Sequence, residues 1–281
     1  MTKGNILITG ASTGIGAACA KKFIQEGYTV YGSVRKQEDA DRLSTELGDA
    51  FHSLIFDVTD QSGIDEAAEQ LNKDLADQGL SLLINNAGVA VTGPAELLDL
   101  ADYRRQFDIN YFGLIAVTKA FLPLLGTKEN GSFPAGKIIN MSSIASKRAM
   151  PFMTPYGSSK AAVDSFSQGL RRELMIFGID VVTFNPGPIK TPIWEKIDTD
   201  TSKSDQSPYK NVLRRFMKLA DKESTHAIEV DVFAKKVYKT FMKSSPATSD
   251  VVVKNKFFKY SIPSLFSERT MDYFVKKMLK I

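Results

Sequence analysis

The sequence predicts a doubly wound α/β fold, in which helices cover both faces of one mostly parallel β-sheet and residues 1–281 form a single domain. Two observations predict it. Over the first 185 residues, short β-rich runs alternate with longer segments whose apolar residues have helical spacing, which is the pattern of repeated βαβ units. Several of the short runs are apolar throughout, as expected of strands that are buried on both faces of a parallel sheet.

Six strands and five helices are predicted in this part of the chain. The strands are placed at Asn5–Thr9, Thr29–Val34, Ala50–Phe56, Ser81–Asn85, Lys137–Met141 and Asp180–Phe184. The helices are placed at Ile15–Glu26, Glu38–Leu47, Ile64–Gln78, Tyr111–Leu125 and Ala161–Phe177. Glycine follows four of these helices, where a left-handed C-terminal cap favours it, at Gly27, Gly48, Gly79 and Gly178.

After Pro186 the pattern changes. Residues 187–210 contain three prolines and a polar patch, so we expect a long loop rather than a packed element, and such loops over a sheet are often lids. A last strand is expected near Asp250–Val253, followed by a C-terminal extension over about 254–281. Further helices are predicted at Asn211–Lys222, Val230–Met242 and Glu268–Leu279.

Charge and cysteine content exclude several classes of protein. The 36 basic and 32 acidic side chains give a net charge of +4, which is too small and too dispersed to indicate a nucleic-acid partner. The single cysteine, Cys19, rules out an internal disulfide. One cysteine and two histidines cannot build a zinc site from thiolates and imidazoles. A carboxylate-bound metal stays open but has no support in the sequence, so we expect no metal.

Neither export nor a membrane span is indicated. The apolar run near the N-terminus has only three residues, well short of a signal-peptide core. The longest apolar region, Tyr111–Leu125, is interrupted by Thr118, Lys119 and Pro123 and falls short of the roughly 20 residues of a membrane span. We therefore expect a soluble, cytoplasmic protein.

A glycine-rich turn, Thr9–Gly16, directly follows the first predicted strand and opens the first helix. Such a turn directs free backbone N–H groups and the positive end of the helix dipole at one point, and glycine lets a pyrophosphate approach the backbone. The turn therefore predicts a dinucleotide site on a Rossmann-like sheet. We expect the site to be formed by Gly10, Ser12, Gly14, Ile15 and Gly16.

The same turn also matches the nucleophile elbow of serine hydrolases, with Ser12 between two glycines. Against this alternative, the elbow would lie on the first strand, with most of the sheet still to come. The later histidines are His52, in a strand region, and His226, beside a predicted helix. The dinucleotide site is therefore the preferred interpretation.

Tyr156 and Lys160 are four residues apart at the start of a predicted helix, so both side chains project from one face. A cation beside a phenol favours the phenolate, and lowering its pKa by about three units requires roughly 4 kcal/mol. Such a tyrosine could exchange a proton with a carbonyl or alcohol oxygen near neutral pH. The spacing alone also fits an exposed neighbour pair, so the interpretation depends on its companions.

Those companions occur in order along the first 190 residues, and with them the chain resembles a short-chain dehydrogenase/reductase of the compact, single-domain branch. The resemblance rests on several separate motifs, none of which is decisive by itself. They are the glycine string at 10–16, Asn85–Gly88 after the fourth strand, Asn110 in the next helix, Ser142 and Ser143 after the fifth strand, Tyr156 with Lys160, and Pro186 with Gly187.

The resemblance implies a role for each matching residue. Tyr156 would be the acid in carbonyl reduction and the base in alcohol oxidation, and Lys160 would lower its pKa and bind the nicotinamide ribose. Ser143, thirteen residues before the tyrosine, would hydrogen-bond the substrate oxygen. Asn110 would hold the water that links Lys160 to solvent, or else would simply cap a helix. The adenosine ribose would be lined by Asn86, Ala87 and Gly88.

The second strand ends without the acidic residue that binds the ribose hydroxyls of NAD. Val34 occupies that place and Arg35 follows it, and a guanidinium suits a phosphate, so NADP(H) is predicted. An exposed strand-end arginine is the alternative, and Thr13 departs from the basic residue that many NADP-using relatives carry in the glycine turn. Other implied cofactor contacts are Asp57 and Val58 at the adenine, and Pro186, Gly187, Ile189 and Thr191 at the nicotinamide.

The resemblance implies that the loop 187–210 borders the substrate, and an apolar, accommodating substrate pocket is expected. The segment Gly93–Glu96 and the long C-terminal part resemble hydroxysteroid and retinol dehydrogenases, which implies a bulky, mostly apolar carbonyl or alcohol substrate. Lys147 and Arg148 leave a carboxylate-bearing substrate open, or belong to an exposed loop. Candidate wall residues are Val89, Ala90, Met150, Phe152, Met153, Ile193 and Trp194.

Three further expectations concern activity and partners. A catalytically silent NADP-binding sensor or scaffold is the alternative to an enzyme, and the intact Ser143, Tyr156 and Lys160 count against it. The family commonly pairs subunits through the helices that carry Asn110 and Tyr156, so a homodimer or homotetramer is expected. The basic amphipathic stretch Met271–Ile281 is expected to dock on the protein body rather than on an anionic membrane.

Overall fold

The computed structural model describes residues 2–75, 78–127, 133–192 and 202–281. Seven strands form one parallel sheet in the order β3-β2-β1-β4-β5-β6-β7. Strand order reverses between β1 and β4, which is where doubly wound sheets bind ligands at the carboxyl ends of their strands. The strands are β1 Asn5–Ile8, β2 Thr29–Val34, β3 Phe51–Ile55, β4 Leu82–Asn85, β5 Lys137–Met141, β6 Asp180–Pro186 and β7 Ser249–Val252.

Helices cover both faces of the sheet, as predicted. They are α1 Gly14–Gln25, α2 Gln37–Leu47, α3 Gln61–Leu75, α4 Leu100–Phe107, α5 Gly113–Phe121, α6 Thr154–Glu173, α7 Ser202–Asp205, α8 Lys210–Thr225, α9 Val230–Phe241 and α10 Glu268–Leu279. One core packs α1, α2 and α9 on the first face, and a second packs α3, α5 and α6 on the other. A smaller cluster joins α8 and α10 to the loop before α6. The doubly wound prediction is confirmed.

The largest boundary error concerns α6, which begins at Thr154 rather than at the predicted Ala161. Pro155 occupies the first turn, where its missing N–H is not needed. Tyr156 consequently lies in the first helical turn. A second difference is α4, which was not predicted and which begins with a capping box between Asp99 and Asp102.

A continuous helical run, Leu100–Leu125, joins α4 to α5 through a π-helical turn at Asp108–Phe112. Its 26 residues are long and apolar enough to cross a membrane by length and composition, unlike the shorter segment considered in the sequence. Within the run Gln106, Asn110 and Thr118 are buried and hydrogen-bonded to the protein. The packing is therefore that of a core helix.

The region after β6 is only partly loop. Ile189 forms a parallel bridge with Ile228, which fixes the first residues of the predicted substrate loop against the chain before α9. The short helix α7 lies near the end of the predicted loop 187–210, where no helix was predicted. Residues 193–201, including Ile193 and Trp194, lie outside the described residues.

Candidate active site

The glycine turn lies at the carboxyl end of β1, at the reversal of strand order. Gly10 and Gly14 have positive φ angles of 65° and 60°, which glycine adopts without strain. A β-carbon on Gly16 would lie 2.2 Å from the Gly10 carbonyl oxygen. Thr13, the N-cap of α1, makes no side-chain hydrogen bond to the first turn. The first-turn N–H groups are therefore available to an anion, which fits a dinucleotide pyrophosphate.

Two buried hydroxyl groups hold this turn in place. Thr9 Oγ1 accepts hydrogen bonds from the backbone nitrogens of Asn86 (2.9 Å) and Ala87 (3.0 Å). Ser33 Oγ accepts one from the Gly10 nitrogen at 3.1 Å. Sequence reasoning assigned no role to Thr9 or Ser33, although a small hydroxyl residue at or near the end of an apolar strand was a usable signal. Asn86 Nδ2 donates to the Thr9 and Gly10 carbonyls at 2.9 and 3.1 Å, so it braces the turn itself.

Ser143 and Tyr156 face one another beside the carboxyl end of β5. Ser143 Oγ accepts a hydrogen bond from the Ala145 nitrogen at 3.1 Å, which orients the hydroxyl group. The interaction of the Ser143 hydroxyl with the Tyr156 phenol lowers the pKa of the phenol. Burial raises that pKa and is the larger effect, so the pKa of Tyr156 is above its ordinary value.

Lys160 lies one turn further along α6 and is almost fully buried. Its Nζ donates to the Met141 carbonyl oxygen at 2.8 Å and lies 5.9 Å from the centre of the Tyr156 ring. Burial lowers the pKa of Lys160 from 10.5 to about 8, and the Asp164 carboxylate opposes part of that shift. The predicted lowering of the Tyr156 pKa was wrong, because desolvation of the phenol outweighs the stabilisation of its anion.

Asn110 lies in the π-helical turn before α5 and completes the predicted catalytic group. Its Oδ1 accepts from the Val89 nitrogen at 2.9 Å, and its Nδ2 donates to the Val89 carbonyl at 3.0 Å and to Ser159 Oγ at 3.2 Å. A β-carbon on Gly88 would lie 3.1 Å from Asn110 Oδ1 and 3.5 Å from Lys160 Nζ. The structure thus brings Asn110, Gly88 and Lys160 together. The water-holding role of Asn110 stays a prediction.

A buried polar network supports the loop that carries Ser143, and sequence reasoning missed it. Asp164 Oδ2 accepts hydrogen bonds from Ser146 Oγ (2.6 Å) and Lys147 Nζ (2.7 Å). Asn185 Nδ2 donates to Asp164 Oδ1 at 3.0 Å and to the Ser143 carbonyl at 3.3 Å. A buried carboxylate with several donors and a cation is well compensated, and it fixes the loop geometry.

The far edge of the site, at the ends of β2 and β3, is exposed. The side chain of Arg35 is 71% exposed, and its Nη1 lies 3.8 Å from Asp57 Oδ2. Asp57 Oδ1 is in turn held by the nitrogen and hydroxyl of Thr59 at 2.9 and 2.8 Å. A second guanidinium comes from α2, where Arg42 Nη2 donates to the Ser12 carbonyl at 2.7 Å. Sequence reasoning missed Arg42, since it lies seven residues beyond Arg35.

The chain after β6 closes against the glycine turn. A β-carbon on Gly14 would lie 3.3 Å from the Thr191 side chain, so the two predicted cofactor segments meet. The Gly187 nitrogen donates to the Val252 carbonyl at 2.9 Å, which holds the Pro186–Gly187 step beside β7. Ile189 is buried. Val58 is also buried and packs beneath the start of α5.

Other predicted contacts are made within the protein. Arg148 Nη2 donates to the Tyr260 carbonyl at 3.1 Å and to Ser264 Oγ at 2.9 Å, while Lys147 binds Asp164. Both cations are therefore used to hold elements together. Among the wall candidates, Met150, Phe152 and Met153 belong to the cluster with α8 and α10.

The hydrolase alternative is not supported. His52 stacks on Tyr31 with ring centres 5.0 Å apart, and His226 Nδ1 bonds the Thr225 hydroxyl and the Lys222 carbonyl. Neither imidazole is placed to activate Ser12. Over the described stretches of chain, His, Cys, Asp and Glu side chains form no group of three that could hold a metal ion.

The family model for short chain dehydrogenase matches residues 4–202. The chain belongs to the short-chain dehydrogenase family. This short-chain dehydrogenase is 37% identical over 274 residues to the NADPH-dependent 3-dehydrocapnine reductase of Ornithobacterium rhinotracheale, covering 98% of this chain and 96% of that protein. It is 34% identical over 204 residues to estradiol 17-beta-dehydrogenase 2 of Mus musculus, covering 69% and 52% respectively.

A solved structure extends the comparison to geometry. The closed form of a serine dehydrogenase complexed with NADP+ matches with a TM-score of 0.73 and 27% identity, covering 88% of this chain and 94% of that one. The predicted family is confirmed. As a short-chain dehydrogenase the chain is an oxidoreductase that interconverts an alcohol and a carbonyl with a nicotinamide dinucleotide.

Proposed function

We propose that this short-chain dehydrogenase reduces the carbonyl group of a bulky, mostly apolar substrate at the expense of NADPH, with Tyr156 as the proton donor. The observation that carries the proposal is the environment of the phenol. Burial raises the pKa of Tyr156, so the phenol keeps its proton at neutral pH. A protonated phenol suits donation to a carbonyl oxygen, whereas alcohol oxidation needs the phenolate.

The neighbouring side chains position that proton. The Ser143 hydroxyl interacts with the phenol and lowers its pKa, so the two hydroxyl groups are close enough to donate hydrogen bonds to one substrate oxygen. Lys160, with a pKa of about 8, is mostly charged at pH 7 and stabilises negative charge that develops on the phenol oxygen. Asn110 fixes the backbone at Val89 through two hydrogen bonds.

The cofactor is NADP(H). The glycine turn supplies uncapped N–H groups for the pyrophosphate, and the place of the NAD-binding acid is occupied by Val34. Arg35 and Arg42 present guanidinium groups at the adenosine end, which suit the ribose phosphate of NADP. The NADPH-dependent relative and the NADP+ complex support this choice. When bound, NADPH supplies the hydride.

The substrate is a hydroxysteroid-like or retinol-like carbonyl compound. Apolar side chains of Met150, Phe152 and Met153 lie just before Tyr156, and Val89 and Ala90 lie half-buried after β4. Because Lys147 and Arg148 are bound within the protein, they favour no anionic substrate. The estradiol-dehydrogenase relative supports this class, and the serine and 3-dehydrocapnine enzymes define the competing substrates.

Absorbance at the NADPH band tests the proposal with a panel of steroid ketones, retinal, medium-chain ketones and amino-acid-derived ketones. We expect turnover with an apolar ketone or aldehyde, and a loss of about 10²–10⁴-fold in Tyr156→Phe. Tyr238→Phe, which removes a hydroxyl group on α9, is the matched control and keeps its activity. Full turnover by Tyr156→Phe would refute the role of the phenol. NADPH binding without consumption by either protein would favour the silent-sensor alternative.

We also propose a homodimer or homotetramer formed through the helices that carry Asn110 and Tyr156. Phe112, on the same helical run as Asn110, is 57% exposed, and such a side chain is suited to a subunit interface. Light scattering of the wild type and of Phe112→Gln measures the assembly, and a wild-type monomer would contradict it. A cytoplasmic location remains a proposal that fractionation of the expressing cell tests.

A further inference from the structure

The C-terminal segment, residues 254–281, exposes an unusual amount of apolar surface. Sixteen large apolar side chains are exposed in the described parts of the chain, and eight of them lie in this segment. Scattered single side chains need no explanation, but a concentrated exposed apolar surface marks a binding site. The question is which partner fits it.

The helix α10 shows how that surface is built. Its inner face packs on the protein, since Leu279 is fully buried in the cluster with Phe152 and Phe216. Arg215 donates to the carbonyls of Leu279 and Lys280, which fixes the end of the helix. The inner face of α10 therefore docks on the protein body, as predicted.

A second apolar face of α10 lies beside the first and contacts no core. Phe274 and Met278 are four residues apart and so share one face, and Ile281 follows the end of the helix; the three side chains are 47%, 42% and 62% exposed. We call these three residues the outer face. The exposed Tyr273 ring contacts Phe274 with centres 5.9 Å apart and extends it. The apolar arc of the helix is thus wider than its contact with the protein requires.

The charge of the C-terminal segment is also exceptional. It carries seven basic and two acidic residues, a net charge of +5, whereas the whole chain has only +4. Lys277 follows Phe274 by three residues on α10, so it borders the outer face. Lys276 and Lys277 have no acidic partner within 4 Å among the residues the structure describes.

We propose that the outer face of α10 docks on an anionic phospholipid membrane. An exposed apolar face bordered by lysines is the pattern of a helix that lies in the membrane interface, with its apolar side chains among the acyl chains and its cations at the headgroups. This proposal is independent of the reaction. It also places the membrane near the loop before Tyr156, because Phe152 of that loop belongs to the same apolar cluster as Leu279.

Charge favours a membrane over a second copy of the chain. A twofold contact would place the same patch on both subunits, so two segments of charge +5 would face each other. An anionic lipid surface neutralises that charge instead, and the attraction weakens as salt screens it.

Vesicle flotation with the full-length protein tests the proposal. The vesicles are phosphatidylcholine alone, or phosphatidylcholine with about 30% phosphatidylglycerol, at about 0.1 M and about 0.5 M NaCl. The variant is Phe274→Gln with Met278→Gln. Its matched control is Met175→Gln with Ile176→Gln, two exposed apolar residues in the 3₁₀ turn that follows α6. Because all four side chains are exposed, thermal unfolding should be unchanged in both variants.

We expect the wild type and the control to bind anionic vesicles about tenfold more strongly than neutral ones, with less binding at high salt. The outer-face variant should lose about tenfold in binding. Absence of wild-type flotation, equal flotation of the outer-face variant, or binding that ignores lipid charge would each overturn the proposal. So would a wild-type dimer that the outer-face variant dissociates without any vesicle binding, since the occupant would then be a second copy.

Discussion

The two sides of the candidate site differ in exposure. On the side of β5 and α6, Ser143 and Lys160 are buried and Tyr156 is half-buried, and burial shifts the pKa values of Tyr156 and Lys160. At the ends of β2 and β3, Arg35 is 71% exposed and meets Asp57 only at 3.8 Å. Buried charges interact strongly and depend on their partners, whereas exposed charges interact weakly and are screened. Mutations on the buried catalytic side should therefore have much larger effects than mutations on the exposed side that selects the cofactor.

The largest effect is expected where a buried carboxylate is removed from the groups that bind it. Asp164→Ala removes the carboxylate that binds Lys147 and accepts from Ser146 and Asn185, so it should lower the free energy of unfolding by about 3–5 kcal/mol. Urea unfolding measures this.

Asp205→Ala provides the exposed counterpart, because Asp205 pairs with Arg214 at 3.1 Å on the surface. That variant should lose no more than about 1 kcal/mol. Equal losses of unfolding free energy in the two variants would mean that the buried carboxylate contributes no more to stability than the exposed one.

The second effect is the pH dependence that the buried Lys160 imposes. Its pKa falls from 10.5 to about 8 on folding, so between those values the unfolded chain binds more protons and stability rises with pH. The rise should reach about 3 kcal/mol. Burial raises the pKa of Cys19 to about 12, which acts in the opposite direction above its ordinary pKa.

The comparison with Lys160→Met separates these two groups, since both proteins contain Cys19. Between pH 8 and pH 10 the wild type should gain stability relative to the variant. Parallel stability curves for the two proteins would show that Lys160 does not titrate in this window.

The sequence also could not predict how exposed each side chain of the site is. Short β-rich runs predicted β2 and β5 to the residue, although polar side chains interrupt both runs. Spacing likewise placed Tyr156 and Lys160 on one face of a helix. Spacing says nothing about desolvation, however, so the direction of the Tyr156 pKa shift was predicted wrongly.

Tertiary contacts explain the other omissions. Thr9 and Ser33 support the glycine turn through hydrogen bonds to residues 77 and 23 positions away in sequence. Arg42 reaches Ser12 across 30 residues. Such pairs become visible only when strands and helices are placed in space, whereas the family motifs indicated the catalytic residues directly.

A third effect is expected at the exposed edge. Arg35→Asp replaces a guanidinium by a carboxylate beside Asp57, so NADPH binding should weaken by about 10–100-fold while NADH binding changes little. Arg172→Asp makes the same charge change at an exposed position near the end of α6 and controls for net charge. Titration of cofactor fluorescence measures both constants. Comparable losses for NADPH and NADH would contradict a phosphate contact.

The smallest effect is expected at Arg42. Its guanidinium already binds the Ser12 carbonyl at 2.7 Å and Asp39 at 2.9 Å, so it has fewer donors left for a phosphate than Arg35 has. Arg42→Gln should therefore weaken NADPH binding only about two- to five-fold, the range of an exposed charge contact. A loss larger than that of Arg35→Asp would reverse the ranking. The guanidinium anchored to the glycine turn, rather than the one at the strand end, would then select the cofactor.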